Sequence, residues 1–398
     1  MKHSIKFGLM GGMILFCLSM SLTSCEDILG HWEKPTPNPV TPGGGSSAIN
    51  ATAITLGQTL KVFKSGDAAL TITATVTPSD ATFTWESSDK AVATVENGVV
   101  TPVGAGIATI TAKSGDVTAT CEVFVGNEVD LGTKTDDYTV QNYDILKGTL
   151  NSSYAISIPN DSKVTFNGMK TTKQITCSGD ATIILADGST TNEATAGIKI
   201  GGTGTTLTID AETEGTGTLN VQGGSGAAGI GTNMDETGGN IVINGGTVTA
   251  TGGNAAAGIG TGYAVSSTNT CGDITINGGK VTATGGSGAA GIGTGVADRD
   301  NTCGDITING GTVTAEGSGD AAGIGTGRAY MSTNECGAIK IGTGVTSVKA
   351  TKGTNSPNSI GKGYDGDGTQ TCGTITIGGD DTTYAAGVTT SPFTYPEP

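Results

Sequence analysis

The sequence predicts an all-β protein in which a β-sandwich is followed by a parallel β-helix. The main observation is a passage that recurs three times almost unchanged, beginning at Gly238, Cys271 and Cys303. Its Gly-Ile-Gly element returns about every 32 residues, a spacing typical of stacked repeats. Residues 50–126 have a different composition, with short alternating strands and frequent turn signals, which is typical of a sandwich.

Each repeat has the pattern of two short strands. Ile274 and Ile276 alternate with threonine, as do Val281 and Ala283, so each strand has one apolar face. Gly-Gly and Asn-Gly steps end each run, as turns do. Aligned copies share three apolar columns: Ile241, Ile274, Ile306, Ile339 and Ile375; Ile243, Ile276, Ile308, Ile341 and Ile377; Val248, Val281, Val313 and Val348. Such columns predict coils stacked about 4.8 Å apart in a parallel β-helix.

A polar column follows the first strand of the repeats, at Asn244, Asn277 and Asn309. Side-chain amides stacked in this way can bond along the coils as a ladder. The turn preference of Asn-Gly steps accounts for the same residues without a ladder. The sequence leaves both interpretations open.

Four cysteines form a further column, at Cys271, Cys303, Cys336 and Cys372. Stacked positions about 4.8 Å apart fall within the Cα range of a disulfide, roughly 4.4 to 6.8 Å. Parallel Cβ vectors at that spacing would strain the turn. We therefore expect free, inward thiols rather than bridges 271–303 and 336–372.

Charge and residue content exclude several kinds of site. The 398 residues carry a net charge of −16, and the arginines are Arg299 and Arg328 alone. Nucleic-acid binding needs a basic surface, so no nucleic-acid partner is expected. His3 and His31 both precede the sandwich, and the eight cysteines contain no C-x-x-C pair. We therefore expect neither imidazole chemistry nor a zinc site in the folded body.

Residues 1–24 have the pattern of a signal peptide, with Lys2 and Lys6 before an apolar run. The last residues of this segment and the next one, Leu22-Thr23-Ser24-Cys25, resemble the bacterial lipobox. The resemblance implies that residues 1–24 are removed and that Cys25 carries a lipid anchor, with acyl chains such as palmitate in the membrane.

The residues after Cys25 predict how the chain leaves the membrane. Glu26 and Asp27 resemble the acidic export signal of lipoproteins in one Gram-negative phylum. This implies a protein anchored in the outer membrane and exposed at the cell surface, with a periplasmic orientation as the alternative. Residues 25–49 are rich in proline, glycine and serine, so we expect a tether that spaces the sandwich from the bilayer.

Four segments give residues 50–126 a specific resemblance: VTPSDA, WESSD, VATVENGVVTPVGAG and ATITA. With them the region resembles the bacterial immunoglobulin-like domain of group 2. The resemblance implies an immunoglobulin-like β-sandwich, a type of domain that acts as a spacer in surface proteins such as the intimin and invasin adhesins. It also implies that Trp85 lies in the core of the sandwich.

Residues 127–380 are similar to the glycine-rich right-handed β-helix repeats of secreted and surface bacterial proteins, through copies such as ITINGGKVTATGGSGAAGIGTG. The similarity implies a right-handed solenoid of about eight or nine coils, with residues 381–398 as a C-terminal cap or tail. Polysaccharide lyases, glycosidases and adhesins all use such folds, so the fold alone does not decide the function.

The rod lacks the residue pattern of a carbohydrate-cleaving enzyme. Glycosidases need two carboxylates at a set separation, and the strand faces carry mostly threonine. Asp273 and Asp305 share one repeat column, which indicates a structural role. We therefore predict no catalytic residues and no cofactor. A polysaccharide-degrading lyase or glycosidase and a passive envelope protein are the alternatives.

Variable inserts follow the repeat copies, at residues 263–270, 296–302, 328–335 and 364–371. Inserts at one repeat position emerge on one side of a solenoid, which is often the binding side. Tyrosine and arginine are typical of recognition surfaces, so we predict that these residues bind a glycan or a host surface protein: Tyr263, Arg299, Arg328, Tyr330 and Tyr364. Solvated loops that merely tolerate variation are the alternative.

The fourth insert contains a weak metal candidate. Asp365 and Asp367 alternate with glycine as in a calcium loop, but no bidentate glutamate follows at the required distance. We therefore expect no metal. Together the sequence predicts a lipid-anchored surface protein whose sandwich presents a rod for adhesion or ligand binding, in an oligomeric state that the sequence leaves open.

Overall fold

The computed structural model describes residues 49–188, 191–213, 216–380 and 384–397. The predicted signal peptide, Cys25 and all of the tether except Ile49 lie outside the described residues. Residues Ala48–Pro398 form one compact unit. It is all-β, as predicted: besides strands, the described part has one 3-10 turn at Leu131–Thr133. No helix in the described ranges is long and apolar enough to span a membrane.

The sandwich is built from short strands with alternating burial. They are β1 Ala53–Leu56, β2 Leu60–Lys64, β3 Leu70–Thr71, β4 Ala74–Thr77, β5 Thr84–Ser87, β6 Ala93–Glu96, β7 Val99–Pro102, β8 Gly106–Ser114 and β9 Val117–Asp130. β1 pairs with β4, β7 lies between β3 and β6, and β5, β8, β9 and β2 are hydrogen-bonded in that order. Trp85 packs against the buried core between these sheets, as the family resemblance implied.

The remaining strands wind into the β-helix. They are β10 Tyr138–Thr139, β11 Asp144–Thr149, β12 Ile156–Ile158, β13 Ser162–Thr171, β14 Ile175–Cys177, β15 Ala181–Leu185, β16 Asn192–Ala194, β17 Ile198–Lys199, β18 Thr206–Ala211, β19 Thr218–Gln222, β20 Ile230–Gly231, β21 Asn240–Ile243, β22 Thr247–Thr251, β23 Ile259–Gly260, β24 Asn269–Cys271, β25 Ile274–Ile276, β26 Lys280–Thr284, β27 Ile292–Gly293, β28 Asn301–Cys303, β29 Ile306–Ile308, β30 Gly311–Glu316, β31 Ile324–Gly325, β32 Thr333–Cys336, β33 Ile339–Ile341, β34 Val345–Thr351, β35 Ile360–Gly361, β36 Thr369–Cys372, β37 Ile375–Ile377 and β38 Phe393–Tyr395.

Successive coils stack as parallel ladders on four faces. The first face runs from β11 through β13, β15, β18, β21, β25, β29 and β33 to β37. The second runs from the end of β13 through β16, β19, β22, β26 and β30 to β34, and β38 closes it as an antiparallel strand. The third is a nine-stranded sheet from β10 to β35, and the fourth, here called the insert sheet, contains β24, β28, β32 and β36.

The apolar columns read from the sequence lie in register inside the rod. Ile241 pairs with Ile274, and Ile274 with Ile306, along the first face. Val248 and Val281 pair in the same way on the second. All of these side chains are fully buried. The repetition therefore builds one continuous apolar core, because identical side chains stack directly on one another.

A glycine column on the third face explains the recurring Gly-Ile-Gly element. Its members Gly231, Gly260, Gly293, Gly325 and Gly361 have φ between +116° and +146°. A Cβ on Gly260 would lie 1.9 Å from the carbonyl oxygen of Gly293 in the next coil. The first four positions therefore need glycine both for backbone conformation and for close coil contact.

The sandwich and the rod share one strand. β9 pairs with β8 and β2 in the sandwich, and its last residues, 127–130, pair in parallel with residues 144–147 of β11. The predicted boundary between residues 126 and 127 thus falls inside a hydrogen-bonded strand. A Cβ on Gly126 would lie 2.3 Å from the carbonyl oxygen of Tyr143, so the two parts meet closely at this residue.

Apolar and ionic contacts extend the junction on both sides of β9. Phe124 is buried with Ile145 and Ile184 of the rod, and its ring lies edge-on to Tyr143 with centroids 5.5 Å apart. Lys61 of the sandwich forms an ion pair with Glu212 of the rod, whose side chain is only 5% exposed. Because shared backbone, apolar and ionic contacts act together, the sandwich continues into the rod without a linker.

Candidate binding site on the inserts

The four inserts form one stacked surface, named here the insert ridge (residues 263–270, 296–302, 328–335 and 364–371). Each insert ends in a strand of the insert sheet, so consecutive inserts lie one coil apart. Near their beginnings, Ala264, Ala297 and Ala329 are joined by parallel bridges. The structure therefore places the first three inserts, and through β36 the fourth, on one side of the rod.

Buried amides hold each insert in place. Asn301 donates from Nδ2 to the carbonyl oxygen of Gly262 in the preceding coil, at 3.1 Å, and to that of Val296 in its own insert, at 3.2 Å. The equivalent residues are Asn269, Asn334 and Gln370, all buried. Sequence reasoning missed these anchors, although they stand two residues before each cysteine of the column and could have been found there.

The first and second inserts are joined by a polar contact. The hydroxyl of Tyr263 donates to Oδ2 of Asp298 at 2.5 Å. Burial, followed by this hydrogen bond to the carboxylate, raises the pKa of Tyr263 to about 12. The phenol therefore remains protonated at neutral pH, and the Asp298 carboxylate already has a donor.

The third insert carries a fixed arginine. The guanidinium of Arg328 lies 3.9 Å from the ring centroid of Tyr330, and its Nη1 is 2.9 Å from Oδ2 of Asp320. The other carboxylate oxygen of Asp320 accepts from Asn355 at 2.9 Å. Stacking and ion pairing together hold the guanidinium in one orientation, and the Arg328 side chain remains 32% exposed.

The other candidates are more exposed and less constrained. Tyr364 is 46% exposed, and Met331, which follows the arginine–tyrosine stack, is 85% exposed. Arg299 is exposed and forms no ion pair among the described residues. The structure thus gives Tyr263 and Arg328 acidic partners and stacks Tyr330 on Arg328, whereas Arg299 has no such contact among the described residues.

The weak metal candidate, Asp365 and Asp367, is a pair of exposed carboxylates on the fourth insert. Within the described residues, no group of three or more histidine, cysteine or acidic side chains is placed to hold a metal ion. Calcium takes about six to eight oxygen ligands, and this pair does not supply them.

The asparagine column forms a ladder, which decides between the two interpretations left open by the sequence. Nδ2 of Asn309 donates to Asn277 at 2.9 Å, and Asn277 donates to Asn244 at 2.8 Å. The ladder ends on Asp210, whose Oδ1 accepts from Asn244 at 2.6 Å. All amides point the same way, so each bond polarises the next one toward the carboxylate.

The aspartate column has a structural role. Oδ1 of Asp273 accepts from the backbone N–H of Asp305 at 2.9 Å, and Asp305 accepts from that of Ala338 at 2.7 Å. Each carboxylate therefore binds the backbone of the next coil. This use of the carboxylates agrees with the structural interpretation of the repeat column.

The cysteine column lies in register on the insert sheet, and all described cysteines are free, as expected. A thiol hydrogen bond with Cys271 and burial raise the pKa of Cys303. A hydrogen bond from Cys336 lowers the pKa of Cys372, which is the half-buried member at the end of the column. The thiols therefore have different electrostatic surroundings although they share one structural position.

Family models match segments in both the sandwich and the rod. Residues 50–125 match the family model of the bacterial Ig-like domain (group 2). The predicted resemblance is confirmed. Residues 241–263, 274–296 and 306–328 match the beta helix repeat model. A search of curated proteins found no match to this chain. A bacterial Ig-like domain followed by β-helix repeats fits a surface or extracellular protein.

The repeat matches end where the inserts begin. Each of the three ends on the first residue of an insert, at Tyr263, Val296 and Arg328. The remainder of each insert therefore lies outside the family pattern. The inserts, which vary from coil to coil, carry the exposed Arg299 and Tyr364.

Proposed function

We propose that this protein is a cell-surface lipoprotein in which the Ig-like domain presents a β-helical rod that binds a glycan or a host surface protein through the insert ridge. The observation that carries the proposal is the arginine–tyrosine stack on the third insert. Arg328 is the last residue of a repeat match, forms an ion pair with Asp320 and remains 32% exposed, and the ring of Tyr330, beyond the match, stacks on its guanidinium.

The geometry of the stack supports binding because the Arg328 side chain is already ordered before a ligand binds. A guanidinium held by a ring and a carboxylate loses little freedom when a ligand arrives. Tyr330 and the more exposed Tyr364 offer aromatic surface to the apolar face of a sugar or to a protein side chain. Met331 adds adaptable apolar surface beside them.

A binding role is favoured over catalysis by the state of two carboxylates, Asp298 on the second insert and Asp320 before the third. Asp298 accepts from Tyr263, and Asp320 is held by Arg328 and Asn355. A glycosidase needs one carboxyl group free to donate a proton and another free to attack or to activate water. These two carboxylates are instead occupied as structural partners of the ridge.

Glycan and mucin arrays probed with residues 48–398 would test the ridge. We expect at least one ligand, with affinity lowered roughly tenfold by Tyr330→Ala and by Tyr364→Ala. Thr282→Ala on the second face is the matched control and should leave binding unchanged. No signal on either array, or equal loss in the control, would contradict a ligand-binding ridge.

The anchor is tested separately in cells that express the full chain. Lipidation at Cys25 predicts incorporation of labelled palmitate and recovery in the outer-membrane fraction, and Cys25→Ala should abolish both. Proteolysis of intact cells then reports orientation, because only a surface-exposed rod is cut. A chain that is labelled but protected from protease would place the rod in the periplasm.

A further inference from the structure

A second candidate site lies away from the ridge, where the Ig-like domain meets the first face of the rod. A cavity of about 460 Å³ opens between the loop joining β1 to β2 and the ends of β18 and β21. We name it the junction cleft. Its volume falls within the range of small-ligand sites, roughly 300 to 1,000 Å³. Neither of the matched family segments spans it, because its two walls come from different domains.

Two hydrogen-bond acceptors of the cleft lack a full set of partners. Oε1 of Gln58 is buried and has no hydrogen-bond partner in the described part of the chain. Asp210 receives the asparagine ladder on Oδ1, from Asn244, and forms no ion pair among the described residues. A buried acceptor without a donor is costly, so a ligand that supplies donors would be stabilised here.

The charge of the other carboxylates in the cleft is already matched. Glu212 is paired with Lys61 and also accepts from the backbone N–H of Val62 at 3.1 Å. Glu122 lies 3.2 Å from Nζ of Lys163. Because these lysines balance Glu212 and Glu122, Asp210 is the one carboxylate of the cleft without an ion pair among the described residues. Leu56 and Leu60 add apolar wall beside the polar groups.

We propose that the junction cleft binds one neutral sugar residue, whose hydroxyl groups donate to Gln58 and Asp210. A sugar carries several donors on a ring with apolar C–H faces, which matches acceptors set beside leucine side chains. The site is independent of the insert ridge, since the cleft is lined by the sandwich and the first face, whereas the ridge lies on the insert sheet.

Isothermal titration calorimetry on residues 48–398 tests the cleft with defined probes. The neutral probes are the methyl glycosides of glucose, galactose, mannose and N-acetylglucosamine, and the charged probes are glucosamine and glucuronate. We expect at least one neutral glycoside to bind with one-to-one stoichiometry. Gln58→Ala should weaken it roughly tenfold, as expected for one lost hydrogen bond to a buried acceptor.

Two control variants, a folding check and a second substitution of Gln58 accompany the titration. Gln222→Ala, an exposed glutamine on the second face, should bind like the unmodified protein, and Tyr330→Ala should too, because it alters only the ridge. Thermal melting checks that Gln58→Ala is folded, and Gln58→Glu provides a second variant at the same position. No heat from any neutral glycoside at about 10 mM, unchanged affinity in both Gln58 variants, or preference for glucosamine would overturn the proposal.

Discussion

The strand faces and the insert ridge of the β-helix differ in the residues that their side chains contact. In the buried columns of the faces, a side chain meets an identical one in the next coil, as Ile274 meets Ile306. On the ridge, unlike side chains meet, as Arg328 meets Tyr330 and Asp320. Contacts between identical residues stabilise the stacked coils of the rod. Contacts between unlike residues produce a surface that differs from coil to coil and can therefore bind a specific ligand.

The largest loss of stability is expected in the glycine column, where equivalent residues of successive coils lie closest together. In Gly293→Ala the new Cβ would lie 1.9 Å from the carbonyl oxygen of Gly325, on a residue with φ of +130°. We expect a loss of more than about 4 kcal/mol in the free energy of unfolding, measured by urea denaturation. Gly202→Ala is the control, because a Cβ there meets no atom within 4 Å. Equal stability of the two variants would refute the close contact.

The second-largest loss of stability is expected in the apolar columns. Ile276→Ala removes a fully buried side chain from the first face and should cost about 2 to 5 kcal/mol, because neighbouring coils cannot close the cavity completely. Thr275→Ala, on the outward side of the same strand, should change stability by less than about 0.5 kcal/mol. Denaturation curves of both variants measure the difference. If Ile276→Ala lowered the free energy of unfolding by less than Thr275→Ala does, the apolar column would not be tightly packed.

The interior can also be probed with pH. Burial raises the pKa of the Cys177 thiol to about 12, whereas the unfolded chain has the ordinary value of 9.0. Above pH 9 the unfolded state therefore loses its proton first, and stability falls as pH rises. Between pH 8 and 10.5 the protein should lose about 2 kcal/mol more than Cys177→Ala does. Parallel pH curves for the two proteins would argue against a dry interior at Cys177.

The smallest effect is expected in the amide ladder. Asn277→Ala interrupts it between Asn309 and Asn244 and should cost about 1 kcal/mol, because the side chains lie near solvent. Asn220→Ala, an exposed asparagine on the second face, is the matched control. Chemical denaturation of both variants measures whether losing a ladder asparagine costs more stability than losing an exposed asparagine outside the ladder. If both substitutions have the same effect, turn preference alone accounts for the asparagine column.

Much of the fold could be predicted because its signals are local or periodic. Ile274 and Ile276 alternate with threonine along one strand, and the same residues return in every coil. The position of the inserts followed from the same period. Their contacts did not: Arg328 reaches Tyr330 within its insert but also Asp320 before it, and no spacing rule distinguishes that partner from other acidic residues.

The sequence by itself determined the two domain types, the columns and the side from which the inserts emerge. Only the tertiary structure decided that β9 runs unbroken from the sandwich into the rod, because composition changes at residue 126 while hydrogen bonding does not. It also decided the junction cleft, whose walls come from residues about 150 positions apart in the chain, such as Leu60 and Glu212. Repeated local patterns are written in the chain, whereas single long-range contacts arise only when the chain has folded.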